Sequence, residues 1–526
     1  MNKAQFLWVD DEIDLLKPHI LFLEEKGYRT ECVSNGHDAI LKCNSKVYDL
    51  IFLDEHMPGL TGFETLAEIK ESSPNVPVVM ITKSEDEGIM DKAIGKKLAD
   101  YLIKPVNPTQ VLTTIKKILD KKKLESDAVS NEYIKEYNKL NAAIQNCSTV
   151  GDWIDIYRKL VFWEVELERH DYPVKEQLEM QKADANISFA RFIKENYKYW
   201  IDSELNASKD TTETAVISPS LFKKYAFPIL DKGEKLFFIL IDNFRFDQWE
   251  IVKDIVFENF DCDENVYFSI LPTATPYARN SIFSGLMPNQ LSKIYPEMWV
   301  DESDSDGKNE FEEQLIRLHL KRTGRGESFT YHKINSNLEG SRIVHRFSEL
   351  GKYDFNIIVY NFIDLLSHAR TDSKMLRELA PDEASYRSLT RSWFLHSPIV
   401  SLLKKISAAG YKAVITTDHG SIRVKSGLKV IGDKTTNTNL RYKLGKSLAY
   451  DPKKVYDIIH PNNFGLPEPN ITTRYIFALN RDFFLYPNNY NQVETYFENT
   501  FQHGGVSMEE MMVPIVLLNS KIKNRE

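Results

Sequence analysis

The sequence predicts a multidomain α/β protein, because two series of alternating strand and helix patterns flank a segment with helical periodicity alone. In residues 1–122, strand and helix patterns alternate five times, which is typical of a doubly wound parallel sheet. Residues 123–215 contain no strand pattern and predict a helical bundle. A second α/β series fills residues 216–526. Since 526 residues exceed what one core can hold, these three segments are the predicted domains.

The composition indicates a soluble globular protein without strong bias. Hydrophobic residues make up 42% and charged residues 27% of the chain, and both values are ordinary. A formal net charge of −9 argues against a protein whose main task is to grip duplex DNA. Acids near the N-terminus interrupt any signal peptide, and no apolar run approaches the roughly 18 residues of a spanning helix. We therefore expect a cytoplasmic protein without stable membrane insertion.

The first series places polar residues at the ends of its strands. The predicted strands are 5–9, 30–33, 50–53, 77–81 and 101–103. The polar residues that follow them are Asp10, Asp11, Asp54, Thr82 and Lys104. Because the carboxyl ends of parallel strands meet in one crevice, the three acids require a cation between them, and Mg²⁺ prefers such oxygens. A lysine and a hydroxyl at the same point would hold a phosphoryl group on Asp54.

These motifs resemble the receiver domain of two-component response regulators. The matching segments are VDDE, LDEHMPG, YLIKP and the strand that ends at Thr82. A flavodoxin-like sheet with scattered polar strand ends is the alternative, but it would not require all these residue types together. The resemblance implies a flavodoxin-like fold, phosphorylation at Asp54 and dimerisation on phosphorylation. The implied Mg²⁺ ligands are Asp10, Asp11 and Asp54, and the implied switch and phosphate-contact residues are Thr82, Tyr101 and Lys104.

Aromatic residues in the middle segment are predicted to form the core of the helical bundle. The run WIDIYRKLVFWEVEL places Trp153, Tyr157 and Leu160 on one helix face, followed by Trp163 and Leu167. A ligand-binding role for these aromatics is the less favoured alternative. No short helix, glycine turn and basic recognition helix is recognisable in this segment, which argues against direct DNA binding.

The second α/β series places acids and histidines after its strands. The predicted strands are 235–241, 356–360, 412–416 and 513–518. The candidate ligands are Asp242, Asp364, His368, Asp418, His419 and His503. Asp418 and His419 alone would be equally compatible with a polar turn. Six ligands exceed what one zinc ion takes from a protein, whereas two ions would leave the open positions of a hydrolytic centre.

The segment PTATPYARNSIFSG at residues 272–285 offers a nucleophile for such a centre. Pro276 suits the first position of a helix, which predicts Thr275 as the N-cap. The Thr275 hydroxyl would then lie at a positive helix end that favours phosphate. Simple capping is the alternative for Thr275 taken alone. The six candidate ligands favour the nucleophile.

These motifs resemble the alkaline phosphatase superfamily over roughly residues 216–520. The strand-ending Asp242, the PT-x-T segment, DLLSH, TDHG and HGG occur in that family's order. With the receiver and the helices, the chain resembles the PorX-type response regulators of Bacteroidetes, whose third domain is of the PglZ type. The resemblance implies two zinc ions bridged by Thr275 as nucleophile. The implied ligands are Asp364, His368 and His503 for one ion and Asp242, Asp418 and His419 for the other.

The residues that would contact a substrate are less well marked. Nucleotide pyrophosphatases of the superfamily carry an asparagine three residues after the nucleophile, where this chain has Ala278. Candidate replacements are Asn243, Arg279 and Asn280. The loop 429–446 adds basic residues for a phosphate backbone, with a solvated loop as the alternative. These basic residues are Lys434, Arg441 and Lys443.

We therefore expect a two-component regulator whose phosphorylation controls a zinc-dependent phosphodiesterase, a hydrolase. The family resemblance implies oligonucleotide or cyclic nucleotide substrates, a sensor histidine kinase as partner and a link to type IX secretion. It also suggests a sigma factor or a secretion-system component as a partner. Two alternatives stay open. One is a non-catalytic regulator that binds a ligand or partner around a structural zinc ion, and the other is a DNA-binding transcription regulator.

Overall fold

The computed structural model describes residues 4–73, 76–83, 98–168, 174–205, 214–300, 309–326, 328–432, 436–487 and 490–521. The chain divides into two compact units, Met1–Glu132 and Tyr133–Glu526. The helices of the middle segment therefore belong mainly to the same unit as the C-terminal sheet. Within the described ranges, no helix combines the length and the hydrophobicity needed to cross a bilayer.

The first unit contains a parallel sheet of five strands in the order β2-β1-β3-β4-β5. The strands are β1 Gln5–Val9, β2 Arg29–Val33, β3 Leu50–Asp54, β4 Val78–Thr82 and β5 Asp100–Ile103. The helices are α1 Ile13–Glu25, α2 Gly36–Ser45, α3 Gly62–Ser72 and α4 Pro108–Asn146, which extends past the end of this unit. Leu7 and Leu53 pack on one face of the sheet, and Trp8 and Phe52 pack on the other. The predicted doubly wound fold is confirmed, with every strand end within one residue of its predicted place.

The middle segment is helical, as predicted. After α4 come α5 Val150–Glu168 and α6 Lys175–Leu205. Trp153, Tyr157 and Leu160 are at most 1% exposed, so the aromatic face of α5 is core. The ring of Tyr157 lies 5.8 Å from that of Phe246, which belongs to the C-terminal α/β segment. These helices therefore pack directly against the sheet that follows.

The C-terminal segment is built on a six-stranded sheet in the order β7-β18-β10-β6-β9-β8. Strands β10, β6, β9 and β8 are parallel, whereas β18 is antiparallel to β10 and to β7. The strands are β6 Leu236–Ile241, β7 Phe260–Phe268, β8 Phe329–Ile334, β9 Phe355–Tyr360, β10 Lys412–Thr416 and β18 Met512–Ser520. The sequence predicted the four inner strands and missed β7 and β8, because edge strands carry polar residues such as Asp261, Asp263 and Lys333.

Smaller sheets and helices surround the large sheet. The small sheets pair β11 Ile422–Arg423 with β17 Phe501–Gln502, β12 Ser426–Lys429 with β16 Asp482–Leu485, and β13 Tyr442–Gly445 and β14 Val455–Ile458 with β15 Arg474–Ala478. The helices are α7 Phe227–Leu230, α8 Phe246–Phe257, α9 Thr275–Ser284, α10 Pro288–Ile294, α11 Glu312–Arg322, α12 Asn337–His345, α13 Phe347–Leu350, α14 Phe362–Asp372, α15 Lys374–Leu379, α16 Glu383–His396, α17 Pro398–Ala408, α18 Tyr490–Phe497 and α19 Met508–Met511.

A buried ion-pair network joins the middle helices to the C-terminal segment. Arg387 of α16 donates to Glu164 of α5 at 3.0 Å and also contacts Asp247 of α8. Lys182 of α6 lies 2.5 Å from Glu164 and 3.6 Å from Glu509 of α19. All five side chains belong to residues that are 7% exposed or less. Because an unpaired charge in such surroundings is costly, the network fixes how the helices dock.

We expect the substitution Arg387→Met to destabilise the second unit by about 3 kcal/mol, since it leaves Glu164 and Asp247 buried without this cation. Chemical denaturation measures the loss. The matched control is Arg346→Met, which removes an exposed arginine that pairs with Glu349 at 2.8 Å. A loss for Arg387→Met no larger than that of the control would contradict a structural role for the network.

Candidate metal centre

The candidate metal ligands follow the central strands of the large sheet. Asp242 comes directly after β6, and Asp418 and His419 follow β10. Asp364 and His368 lie one helical turn apart on α14, which begins just after β9. Since β10, β6 and β9 are parallel neighbours, their carboxyl ends deliver these side chains to one edge of the sheet.

The structure brings the six candidate ligands together in two adjoining groups of three. Within each group, one ligand atom per residue lies within 4.8 Å of the others. The groups are Asp364, His368 and His503, and Asp242, Asp418 and His419. His503 Nε2 lies 3.7 Å from Asp364 Oδ1, and His419 Nε2 lies 3.8 Å from Asp242 Oδ1. The rings of His419 and His503 stack with centroids 4.2 Å apart, so the two groups share a border.

Backbone carbonyls set the orientation of two histidine rings. His419 Nδ1 donates to the carbonyl of Gly420, and His503 Nδ1 donates to that of Thr273, both at 3.1 Å. With Nδ1 protonated, a neutral imidazole turns the lone pair of Nε2 toward the carboxylates. Burial lowers the pKa of His419, and burial with the neighbouring His419 lowers the pKa of His503 to about 3. Both rings are therefore neutral near pH 7, which is the form that binds metal.

The carboxylates of the centre carry more negative charge than the nearby arginine can balance. Arg279 Nε donates to Asp418 Oδ2 at 3.0 Å, and the same guanidinium pairs with Asp242. Asp242 Oδ1 is buried without a hydrogen-bond partner in the part of the chain that the structure describes. Burial raises the pKa of Asp242 to about 8 and also raises that of Asp418. An orphaned carboxylate oxygen beside neutral imidazole nitrogens is a donor set that fits a divalent transition metal such as zinc.

Thr275 is the first residue of α9 and does not cap it, contrary to the sequence prediction. Ala274 has the extended N-cap conformation, with φ −143° and ψ 144°, so Pro276 is the second helical residue. The first helical turn accepts proline at either position because its N–H groups lack an intrahelical acceptor. The Thr275 side chain makes no capping hydrogen bond, and its Oγ1 lies 3.1 Å from His419 Nε2.

Four residues predicted to contact substrate lie inside the protein. Asn243, Arg279, Asn280 and Arg441 are at most 4% exposed. Asn243 Nδ2 donates to Asp364 Oδ1 at 3.2 Å and so orients a candidate ligand. Arg441 binds both carboxylate oxygens of Glu510, at 3.1 and 2.7 Å. Asn280 Nδ2 donates to the carbonyl of Pro276, and Arg279 pairs with Asp242 and Asp418. The substrate contacts of these four residues stay predictions. Lys434 lies outside the described residues.

A cavity of about 680 Å³ adjoins the ligand group of Asp364, His368 and His503. His368 and His503 line it, as do Ala274 and Pro276, which flank Thr275. Lys443, also predicted as a substrate contact, is part of the same wall. A space of this size accommodates a small organic ligand.

The first unit has an acidic cluster of its own. Its members are Asp10, Asp11 and Asp54, whose carboxylate oxygens lie within 4.8 Å of one another. Lys104 Nζ lies 3.0 Å from Asp54 Oδ2 and 3.1 Å from Asp10 Oδ2. Burial raises the pKa of Asp54. Thr82 is buried at the end of β4, whereas Tyr101 is 39% exposed. Such a set of oxygens suits Mg²⁺.

Sequence reasoning missed two charged residues behind the metal centre. Glu312 of α11 is 1% exposed and lies 3.3 Å from Arg279 Nη1. Lys333 of β8 lies 3.0 Å from the other oxygen of Glu312. Neither residue belongs to a motif or follows a strand of the inner sheet. Only the long-range packing of α11 and β8 brings them to Arg279, so the local pattern carried no signal for them.

Family models match three successive parts of the chain. Residues 221–518 match the BREX system PglZ alkaline phosphatase-like domain. The chain belongs to the PglZ alkaline phosphatase-like family. Residues 6–116 match the response regulator receiver domain, and residues 123–201 match the PorX response regulator linker domain. The order of receiver, linker and PglZ domain is the PorX-type architecture, as the sequence predicted.

Individual relatives cover parts of the chain. The transcriptional regulatory protein CpxR homolog of Haemophilus influenzae is 37% identical over 137 residues, which are 26% of this chain and 59% of that protein. A second relative is the alkaline phosphatase synthesis transcriptional regulatory protein PhoP of Bacillus subtilis. It is 31% identical over 161 residues, which are 30% of this chain and 65% of that protein. The chain thus covers less than two thirds of either relative. A CheY-like receiver domain structure from Methanospirillum hungatei is 26% identical, with a TM-score of 0.23, and the match covers 24% of this chain and 99% of that one.

We expect purified protein to carry about two transition-metal ions per chain, and His419→Ala to lose about one of them, because that ring offers its Nε2 to one ligand group. Elemental analysis of the purified protein measures the content. The matched control is His345→Ala, which removes an exposed histidine on α12. Protein that holds no transition metal, and takes up none after chelation, would exclude the metal centre.

Proposed function

We propose that the PglZ domain is a zinc-dependent phosphodiesterase controlled by phosphorylation of Asp54. The proposal is carried by the Thr275 hydroxyl, which lies 3.1 Å from His419 Nε2. His419 belongs to one ligand group, and its ring stacks on that of His503 in the other. Two zinc ions held by those groups would neutralise phosphate charge and lower the pKa of the attacking hydroxyl. Mg²⁺ held by the acids of the receiver would likewise neutralise phosphate charge while Asp54 is phosphorylated.

Thr275 supplies the nucleophile of the proposed reaction. Its Oγ1 forms a bond to phosphorus while the ester bond to the leaving alcohol breaks, and the hydroxyl proton ends on that alcohol. Water then attacks the same phosphorus, the bond from phosphorus to Thr275 Oγ1 breaks, and Oγ1 regains a proton from the water. The product leaves as the phosphate monoester of the remaining alcohol. Because Thr275 begins α9, the positive end of the helix favours an incoming phosphate. Asn243 holds Asp364, and Arg279 holds Asp242 and Asp418, so these residues keep the carboxylates in place.

The cavity beside Thr275 favours diesters over monoesters. A monoester carries one organic group on phosphorus, whereas a diester carries two. The cavity of about 680 Å³ has room for the second group. Tyr486 in its wall is 36% exposed and offers an aromatic face for a planar group. An oligonucleotide or a cyclic nucleotide has both features. We infer that nucleotide phosphodiesters are the substrates.

The receiver domain would place the enzyme under the control of a sensor histidine kinase. Phosphorylated Asp54 carries added charge and acceptor oxygens next to Lys104, which favours one of two surface states. Dimerisation through the surface that contains Tyr101 would be the output. The links to type IX secretion and to a sigma factor or secretion-system component stay predictions from the family resemblance.

A chain of contacts connects helix α6 with the metal centre. Asn186 of α6 donates to Glu509 at 3.0 Å. The carbonyl oxygen of Glu509 packs so closely on Gly420 that a Cβ there would lie 2.0 Å from it. Gly420 follows His419, so a shift of α6 would displace a candidate ligand. We infer that the linker helices alter activity through this contact.

We expect Thr275→Val to lower phosphodiester turnover at least ~10³-fold, because it keeps the shape of the side chain and deletes the attacking oxygen. Steady-state kinetics with a chromogenic diester measure the effect, and the metal content should stay near that of the wild type. The matched control is Thr371→Val in the wall of the same cavity. Near-native activity of Thr275→Val would exclude this nucleophile.

We expect beryllofluoride with Mg²⁺ to shift the protein from monomer toward dimer, because it mimics a phosphoryl group on Asp54. Analytical ultracentrifugation at micromolar concentration measures the shift. Asp54→Ala should abolish it and leave the zinc content unchanged, whereas Asp14→Ala, an exposed acid of the same domain, should keep it. An unchanged mass of the wild type with and without beryllofluoride would rule out the dimer switch.

A further inference from the structure

Lys443 occupies an unusual position in the wall of the cavity beside the metal centre. It lies on β13, and the residue is only 1% exposed. Its Nζ donates to the carbonyl of Asn437 at 2.9 Å and lies 4.7 Å from the centre of the Tyr486 ring. The backbone of β13 pairs with β15, which places Lys443 opposite Ile476. The ammonium group is therefore held at the cavity by a carbonyl and an aromatic face.

Within the described ranges, no carboxylate forms an ion pair with Lys443. Two other buried cations of this unit pair with acids, Lys182 with Glu164 and Arg441 with Glu510. Arg370 is also buried, but its guanidinium donates to the carbonyls of Ala380 and Asn499. A buried ammonium without a carboxylate is costly, and burial lowers the pKa of Lys443 to about 8. The group still carries its charge for most of the time near pH 7. An anion in the cavity would supply the missing partner.

The cavity connects this cation with the proposed reaction centre. Its wall contains Lys443, and it also contains His503 together with Ala274 and Pro276 on either side of Thr275. A molecule whose phosphodiester lies at Thr275 therefore extends within the same space as the Lys443 ammonium. A volume of about 680 Å³ exceeds what a phosphate group alone fills.

We propose that Lys443 binds a second phosphate group of the substrate, next to the diester that is cleaved. This inference rests on the proposed phosphodiesterase function and narrows its substrate class. It assigns to the enzyme diesters that carry a further phosphate, in preference to diesters with neutral substituents on both sides. Lys443 would be a specificity-determining residue, and it would contribute to substrate affinity more than to the chemical step.

The test compares a thymidine dinucleotide with and without a 5′-phosphate, since both contain the same scissile diester. We expect wild-type kcat/KM to be about tenfold higher for the phosphorylated dinucleotide, as a charge-assisted contact predicts. Lys443→Gln should bring the two substrates to nearly equal kcat/KM, mainly through KM, and Lys443→Arg should retain most of the preference. Lys446→Gln, an exposed lysine of the same segment, should keep it. If Lys443→Gln prefers the phosphorylated dinucleotide as strongly as the wild type does, the assignment is overturned.

Binding separates a failure of the subsite from a failure of the proposed activity. In the Thr275→Val background, calorimetry should show tighter binding of the phosphorylated dinucleotide, and Lys443→Gln should remove that difference. If the wild type cleaves neither dinucleotide but this binding difference appears, the subsite stands and the phosphodiesterase proposal fails. If the phosphorylated form binds no tighter than the other, the subsite is excluded whatever the turnover.

Discussion

The meeting of three carboxylates at one edge of the large sheet is the constraint on which the rest of the second unit depends. Asp242, Asp364 and Asp418 follow parallel neighbouring strands, and Asp242 and Asp418 are buried while Asp364 is partly buried. Like charges in such surroundings are unstable unless cations or hydrogen-bond donors face them. Arg279 meets two of the carboxylates and leaves Asp242 Oδ1 without a partner among the described residues. The neutral rings of His419 and His503, together with His368, then complete two donor sets whose remaining negative charge suits divalent cations.

The inner strands and the ligand groups of this edge could be predicted because each signal is local. A buried apolar run followed at once by an acid, as in β6 with Asp242 and β10 with Asp418, reveals both the strand and the ligand. The start of α9 was predicted one residue late, since proline fits the first or the second position of a helix. The buried acidic partners of Arg279 and Arg441 could not be predicted. A basic residue looks the same in sequence whether it meets solvent or a buried acid, and only the packing of Glu312 and Glu510 decides this.

Contacts couple the middle helices to the candidate metal ligands. They do not form a separate body beside the C-terminal sheet, because Glu164 and Lys182 are buried in a shared ion-pair network with Arg387 and Glu509. Glu509 in turn packs on Gly420, next to His419. A receiver that acts on these helices would therefore act on the ligand geometry itself. The same fold places Lys443 in the cavity wall through the small sheet of β13, whereas the three candidate aspartate ligands follow strands of the large sheet.

The central claim is that two metal ions belong to the edge formed by β10, β6 and β9. Anomalous X-ray scattering at the zinc absorption edge, from crystals of protein purified without added metal, addresses it most directly. The geometry predicts two anomalous peaks, one among Asp242, Asp418 and His419 and the other among Asp364, His368 and His503. The absence of both peaks, or a metal bound only at the buried acids Glu164, Asp247 and Glu383, would contradict it.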